Sequence, residues 1–419
     1  MTARDDLALN GGTPVRTQPL DTSHGVGVIG DEEIEGAIGV LQSRSLFRYY
    51  GPDFKEHANR LEAALQQRFG VSHALAVSSG TAALQLGLVG LGVEEGDEII
   101  VPAVTFIATV GAVVSARAVP VFAEVDESLN LDPASFEANI TEKTRAVIPV
   151  HLSNAAADMD PIMEIARRRK IRVLEDAAQA IGVTYRGRPV GTIGDAGAFS
   201  LQLEKNITSG EGGILLTDSF DMYDRAVRYH DQGGQFTTSR GGVREHTSGE
   251  PFIGVNLRIT ELAAAIAAVQ LGRLDQIIER SRVNAAAVRQ RLGDLPVDWR
   301  VLPDESGEGG SVTMFLESPE TAKEFGKAVR AEGVPAGQMY GGKTVYMNPA
   351  ILAQQTAWST GCPFHCKEHP TTRRYYEGLC PRSEDLLLRS LTVPVGPSLT
   401  ASDVDDIVTA VRKVSSALL

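Results

Sequence analysis

The sequence predicts an α/β protein in which a large, mostly parallel sheet domain sandwiched by helices is followed by a smaller α/β domain. Three observations carry the prediction. Short apolar runs of strand length recur between residues 73 and 217 and are separated in several places by helix-like segments. These runs are apolar throughout instead of alternating with polar residues, as strands covered on both faces require. From about Thr260 the chain turns helical for roughly 33 residues, then gives a second, shorter set of strand and helix signals.

The strand runs, in order, are "HALAVSS", "DEIIVPA", "VPVFAEV", "RAVIPVHL", "IRVLEDA", "AGAFSLQ" and "GGILLTD", with helices such as "GTAALQLGLVGLG" and "MDPIMEIARRR" between them. The stretch "TELAAAIAAVQLGRLDQIIERSRVNAAAVRQRL" has no proline, and its apolar residues recur at three- and four-residue spacing. It reads as one helix about 50 Å long, enough to bridge two domains. Beyond it, "VTMFLES", "TAKEFGKAVRAEGV" and "SDVDDIVTAVRKVSSALL" predict the small domain, with Ser402 expected to cap the last helix. Residues 340–382, rich in Gly, Pro, Tyr and His, read as a long irregular insertion able to line a site. The expected organisation is an N-terminal arm over 1–30, a large domain over 31–275 and a small domain over 276–419.

A net charge of −13 argues against binding a nucleic-acid backbone, which needs clustered cations. The one basic run, Arg167 to Lys170, ends a predicted helix, where cations complement the helix dipole. No apolar stretch approaches the roughly 20 residues that span a bilayer, and "MTARDDLALNGG" does not resemble a secretion signal. No membrane partner and a cytoplasmic location are expected. Three cysteines are too few for a disulfide framework and fit a reducing compartment. Cys362, His365, Cys366 and His369 are metal-competent residue types, but they lack a second, separated ligand pair and sit among prolines, so no metal site is assigned.

In open α/β sheets ligands bind beyond the carboxyl ends of the strands. The residues there are Ser78, Ser79, Gly80 and Thr81 opening a helix, then Thr105 and Phe106, His151, Asp176 with Gln179, and Ser200 followed by Lys205. Each has an ordinary reading alone: a helix cap for Ser79 or Asp176, a core ring for Phe106, a solvated turn lysine for Lys205. Together they describe a chemistry. Free amides and hydroxyls at a helix start suit a phosphate, and the absence of Gly-Lys-Ser/Thr excludes a Walker loop. An aspartate that keeps a pyridine nitrogen protonated, a lysine able to form a Schiff base and shuttle a proton, and an aromatic face for the ring fit pyridoxal 5′-phosphate.

The succession "SSGTAALQL", "VPAVTFIAT", "PVHL", "EDAAQAIGVTYRGRPVGTIGDAGAFS", "KNITSGEGG" and "GVNLRITELAAAIAAVQL" resembles the DegT/DnrJ/StrS family of sugar aminotransferases, pyridoxal phosphate enzymes of fold type I. The likeness runs from "LALNGGTPVR" to the last helix. It implies that Lys205 is the Schiff-base lysine, Asp176 the partner of the pyridine nitrogen and Gln179 the neighbour of the phenolic oxygen. It further implies that Ser79, Gly80, Thr81 and Ser200 cradle the phosphate, that Phe106 stacks on the ring, and that Asn256 reaches the phosphate of a neighbouring subunit in a homodimer with shared sites.

The activity implied is a two-step transamination. Glutamate or glutamine gives its amino group to the cofactor, leaving pyridoxamine 5′-phosphate, and a keto-sugar, nucleotide-linked for choice, or a ketocyclitol then takes it. His151, Arg228, Tyr229, His230, Tyr340, Lys343 and Tyr346, with the glycine-rich loop to Gly242, are the candidate substrate residues. Dehydration or decarboxylation on the same fold, and a non-catalytic sensor, are the rivals. A lysine at 205 favours transamination over sugar dehydration, for which the family uses histidine. Two departures from the family pattern stand out: "LSNAAADM" follows His151 in place of a Tyr-Gly pair, and Glu204 is an acidic neighbour for Lys205.

Overall fold

In the computed structural model, which describes residues 3–233 and 252–419, each of the seven apolar runs is a strand of one sheet. The strands of the large domain are β1 (His73–Val77), β2 (Glu98–Pro102), β3 (Val119–Ala123), β4 (Thr144–Val147), β5 (Arg172–Asp176), the two-residue pair β6 (Thr184–Tyr185) and β7 (Arg188–Pro189), β8 (Ala196–Ser200) and β9 (Gly213–Thr217). The sheet order is β1-β9-β8-β5-β4-β2-β3, with β6 and β7 forming a separate hairpin. All neighbours are parallel except β9, which runs antiparallel to both β1 and β8.

The helices of this domain are α1 (Asp31–Ser43), α2 (His57–Phe69), α3 (Gly80–Gly90), α4 (Ile107–Ser115), α5 (Pro133–Ala138), α6 (Met159–Arg169), α7 (Phe220–His230) and α8 (Glu261–Leu292). Continuous apolarity in the strands has the consequence expected of it. Successive residues point to opposite faces, so Ala74 and Ala76 of β1 join a core with α2, α6 and α8, while Leu75 and Val77 join one with α3, α4 and α7. The two cores sandwich the sheet.

Helix α8 begins where the composition changes, with the Thr260 side chain accepting the Ala263 amide, and runs for 32 residues. Its first half, through Ile278, packs in the large-domain core, whereas Ala285, Val288 and Leu292 belong to the C-terminal core. The first residue of α8 also serves another helix: the buried Glu261 carboxylate accepts the His57 and Ala58 amides at 2.6 and 2.9 Å, which satisfies the first turn of α2, whose own N-cap provides no side-chain bond.

The small domain holds a three-stranded antiparallel sheet, β10 (Asp298–Trp299), β11 (Thr313–Phe315) and β12 (Ser390–Thr392), with helices α9 (Pro319–Ala331), α11 (Pro381–Arg389) and α12 (Ala401–Leu418), while α10 (Pro349–Leu352) packs back on the large-domain core. Thr400, not Ser402, caps α12, because Thr400 and Asp403 exchange side-chain bonds in a capping box that Ser402 is too late in the chain to make. The N-terminal arm is strapped to this domain: Leu7 and Leu20 are in its core, and Arg16 pairs with Asp403 and Asp406.

The 340–382 insertion behaves differently from expectation. Val345, Tyr346, Ile351, Phe364, Tyr375 and Cys380 are buried in the core of the large domain, and the rest of the segment borders surface clefts, not the cavity beside Lys205. Cys362 and Cys366 form a disulfide within it, a local link that the cysteine count did not suggest. Among the described residues no helix is long and apolar enough to cross a membrane.

Candidate active site

The carboxyl end of β5 sets the first group. Asp176 is 5% exposed. Its backbone is pinned to the end of β4, with its amide donating to the Pro149 carbonyl at 2.9 Å and its carbonyl accepting the His151 amide at 3.0 Å. The carboxylate is oriented by Thr109 of α4, which donates to Oδ2 at 2.8 Å, and by the Ala178 amide, which donates to Oδ1 at 3.2 Å. Thr105 and Thr109 share a further bond at 2.6 Å. Burial raises the Asp176 pKa above the ordinary carboxylate value, opposed by Thr109, the Ala178 amide and the charge of Lys205. A cation seated against this carboxylate would hold it ionised.

The second group arrives on the turn between β8 and β9. Lys205 is partly buried, and burial lowers its pKa, while Asp176 and Glu204 pull the other way. A lowered pKa raises the fraction of free amine, the form that attacks a carbonyl. The turn is held from several sides. The Gly25 amide donates to the Lys205 carbonyl at 3.1 Å, and the Asn206 side chain donates to Asn154 Oδ1 at 2.7 Å and to the Ile181 carbonyl at 2.9 Å.

The third feature is the β1-to-α3 turn. Ser79 caps α3 by accepting the Ala82 amide at 3.1 Å, and Thr81 is exposed in the first helical turn. At Gly80 an added Cβ would stand 2.8 Å from the Ser200 Cβ, so only glycine lets the helix start approach the end of β8 this closely. Ser200 is itself nearly buried, and its Oγ accepts the Gln202 amide at 3.3 Å. The result is a recess of backbone donors and hydroxyls at a helix N-terminus, suited to a phosphate.

The remaining expected residues divide. Gln179 lies in the crevice, donating to the Tyr340 hydroxyl at 2.9 Å and accepting the Ser153 amide at 3.3 Å. Tyr340 is 37% exposed overall, yet burial around its hydroxyl pushes the phenol up to about 12. Phe106, at the start of α4, is 57% exposed, a free aromatic face. Asn256 lies on the surface and accepts the Arg258 amide at 3.2 Å. His151 is not a pocket wall: it has no exposed surface, its Nδ1 accepts the Ala157 amide at 3.1 Å, and its Nε2 therefore donates to Glu175 at 2.8 Å. Tyr346 is likewise a core residue, since its hydroxyl donates to Glu384 at 2.5 Å and accepts the Cys380 amide at 3.0 Å. Lys343 is exposed. Arg228, Tyr229 and His230 end α7 against the strand-like segment that carries Asn256, with Arg228 bonded to Asp224 and its guanidinium over Phe252. The loop to Gly242 falls outside the described residues.

Four residues that sequence reasoning passed over complete the site: Thr109 on Asp176, Asn206 behind Lys205, and Ser153 and His24, which border a cavity of about 280 Å³ together with Lys205 and Gln179. Ser153 has φ of 47°, a left-handed turn at the point where the Tyr-Gly pair is missing. The sequence signal for Thr109 was two hydroxyls four residues apart directly after a strand; His24 gave none.

A depressed lysine, a buried carboxylate that gains by facing a cation, a phosphate recess from which a Cβ is excluded and a free aromatic face fit pyridoxal phosphate. These features, on a mostly parallel sheet with a second domain closing the crevice, define a fold-type I pyridoxal phosphate enzyme. Residues 28–412 match the DegT/DnrJ/EryC1/StrS aminotransferase family, and the chain belongs to that family. It is 33% identical to an L-glutamine:2-deoxy-scyllo-inosose aminotransferase of Micromonospora echinospora over 97% of each chain. It is 32% identical to the spore coat polysaccharide biosynthesis protein SpsC of Bacillus subtilis strain 168, over 92% of this chain and 95% of that one. Among solved structures it is similar to S. venezuelae DesV, determined in complex with a ketimine intermediate, with a TM-score of 0.77 and 31% identity over 92% of this chain and 94% of that one.

Proposed function

We propose that this aminotransferase moves an amino group from glutamine or glutamate to the keto group of a sugar or cyclitol, working as a cytoplasmic homodimer. The observation that carries the reading is a lysine of lowered pKa, coupled to a buried carboxylate, on the wall of a cavity in which it is the only cation among the described lining residues and neutral polar side chains are the commonest neighbours. The related L-glutamine:2-deoxy-scyllo-inosose aminotransferase, and a GDP-perosamine synthase of Caulobacter vibrioides that is 42% identical over 53% of this chain, support this substrate range.

When bound, pyridoxal phosphate supplies a carbonyl that accepts the amino group and a ring that accepts electrons from the bond being broken. The chain's own residues do the rest. Lys205 would hold the cofactor covalently through its amine and, once freed, would serve as the base that moves the proton of the donor α-carbon. Asp176, aimed by Thr109, would keep the ring nitrogen protonated. Ser79, Gly80, Thr81 and Ser200 would hold the phosphate, Phe106 would stack on the ring, and Gln179 would neighbour the phenolic oxygen. The acceptor then retraces the same proton path through Lys205.

The homodimer has its own support. Ile34, Ile38 and Leu41, spaced four and three residues apart on α1, are 52%, 46% and 54% exposed, a helical apolar stripe of the kind that a partner covers. Leu46, Tyr50 and Val255 are also exposed, and Asn256 adjoins Val255. On this reading a second copy covers that stripe, and Asn256 would reach the phosphate site of the neighbouring subunit. Absorbance of the loaded protein tests the reaction: glutamine or glutamate should convert the visible band to a near-ultraviolet one, and a band that ignores both would move the assignment to another pyridoxal phosphate reaction. Sedimentation tests the assembly, with Ile38→Glu expected to shift dimer to monomer.

A further inference from the structure

We propose that His24, on the N-terminal arm, is a substrate-contacting residue that hydrogen-bonds a hydroxyl of the acceptor, and that the part of the acceptor seated beside Lys205 is an uncharged polyol ring. The proposal deepens the sugar or cyclitol transamination reading and rests on it.

The arm fixes His24 from both sides. An added Cβ on Gly396 of the small domain would stand 2.7 Å from the carbonyl oxygens of both Thr22 and Ser23, so that segment lies tight against the β12 side of the crevice. One residue past His24, the Gly25 amide donates to the Lys205 carbonyl at 3.1 Å. A Cβ on Gly25 would meet Ile207 Cα at 2.9 Å and the Asn206 carbonyl at 3.0 Å. The backbone at His24 therefore has little freedom, and the residue forms part of the wall of the 280 Å³ cavity that also holds Lys205 and Gln179.

His24 Nδ1 is buried without a hydrogen-bond partner. Nδ1 has no surface of its own for a ligand to meet, so Nε2, which has no side-chain bond either and is not enclosed in this way, is the nitrogen left for a ligand hydroxyl. Burial also lowers the His24 pKa, so the ring is neutral and offers one donor and one acceptor instead of a charge. The other walls agree with this chemistry. Ser153, Ser311 and Thr392 contribute hydroxyls, Lys205 and the Glu204 carboxylate are the two charged groups among the described lining residues, and no arginine is among them. An anionic substituent would call for an arginine fork or a free lysine. The volume lies near the lower end of the roughly 300–1,000 Å³ usual for ligand sites, so a single ring fits and any nucleotide attached to it lies outside.

The test compares wild type with His24→Phe, which fills the space without a bond, and His24→Asn, which keeps one. The visible band of each protein loaded with pyridoxal phosphate reports that the variants fold. Calorimetry on the pyridoxamine phosphate form then uses two unreactive probes, scyllo-inositol and myo-inositol 1-phosphate. Wild type is expected to bind scyllo-inositol, His24→Phe at least about tenfold more weakly, and His24→Asn to recover most of the loss. The phosphorylated ring should bind no more tightly than the neutral one. Equal scyllo-inositol affinity in wild type and His24→Phe, no binding to wild type, or preference for the phosphorylated ring each overturns the proposal. A visible band that glutamine and glutamate leave untouched sinks the transamination reading instead, and calorimetry separates that failure from this one.

Discussion

The end of β5 and the turn carrying Lys205 face the same crevice, and burial shifts their groups in opposite directions. Asp176 is pushed up and Lys205 is pushed down, because in both cases burial disfavours the charged form. They differ in what holds them. Asp176 stands on a central parallel strand and is aimed by a helix hydroxyl. Lys205 stands on a turn whose shape depends on partners remote in sequence: Gly25 from the arm, and Asn154 through Asn206. The acid is a property of the sheet. The lysine is a property of the tertiary fold, which suits a side chain that must move during turnover.

The largest test of this contrast is Lys205→Ala, which on the proposed mechanism removes the covalent hold and the proton carrier together. Loss of about 10⁴-fold or more in kcat/KM is expected, with no lysine-bound visible band. Asp176→Asn keeps shape but removes the charge opposite the ring nitrogen, and a loss of about 10²–10³-fold is expected, the size of a missing preorganised electrostatic partner. If Asp176→Asn were as active as wild type, the ring-nitrogen role would fail while that of Lys205 stood. A smaller effect is expected from Thr109→Val. It deletes one charge-assisted bond to Asp176, and a loss of roughly 10-fold follows. Since that bond lowers the Asp176 pKa, its removal raises it, and any acid limb of the pH–rate profile that reports Asp176 should move to higher pH. A limb that stayed in place would mean that Thr109 has no hold on the carboxylate.

The same contrast explains what the chain made legible. The seven strands, the long helix, Asp176, Lys205 and the Gly80 turn are written in local pattern: apolar runs, a cap, and small residues at a strand end. Thr109 was not, because its partner is 67 residues away and only the packing of α4 on β5 joins them. Tyr346 shows the converse error. A tyrosine in a polar insertion looks like a pocket residue until the fold supplies Glu384 and Cys380 as its partners. The misplaced cap of α12 has a similar origin, since Thr400, Ser402 and Asp403 compete within four residues and the reciprocal bond decides. His151 was rightly placed at a strand end, but the bonds to Glu175 and Ala157 that occupy it are visible only in three dimensions.

The smallest expected effect concerns Glu204, the acidic neighbour of the lysine. Its negative charge favours the protonated form of Lys205, against the burial that disfavours it. In Glu204→Gln the opposing contribution is gone, so the Lys205 pKa falls further. Uptake of pyridoxal phosphate by the apoprotein needs the free amine, so its rate climbs with pH and levels off once the lysine is deprotonated. That plateau should begin at lower pH in Glu204→Gln than in wild type. Glu204 is exposed, so solvent screens it and the rate gain at neutral pH should be no more than a few-fold, shrinking as salt is added. Superimposable profiles at low salt would show that the charge of Glu204 is spent in water, leaving burial and Asp176 alone to set the reactivity of Lys205.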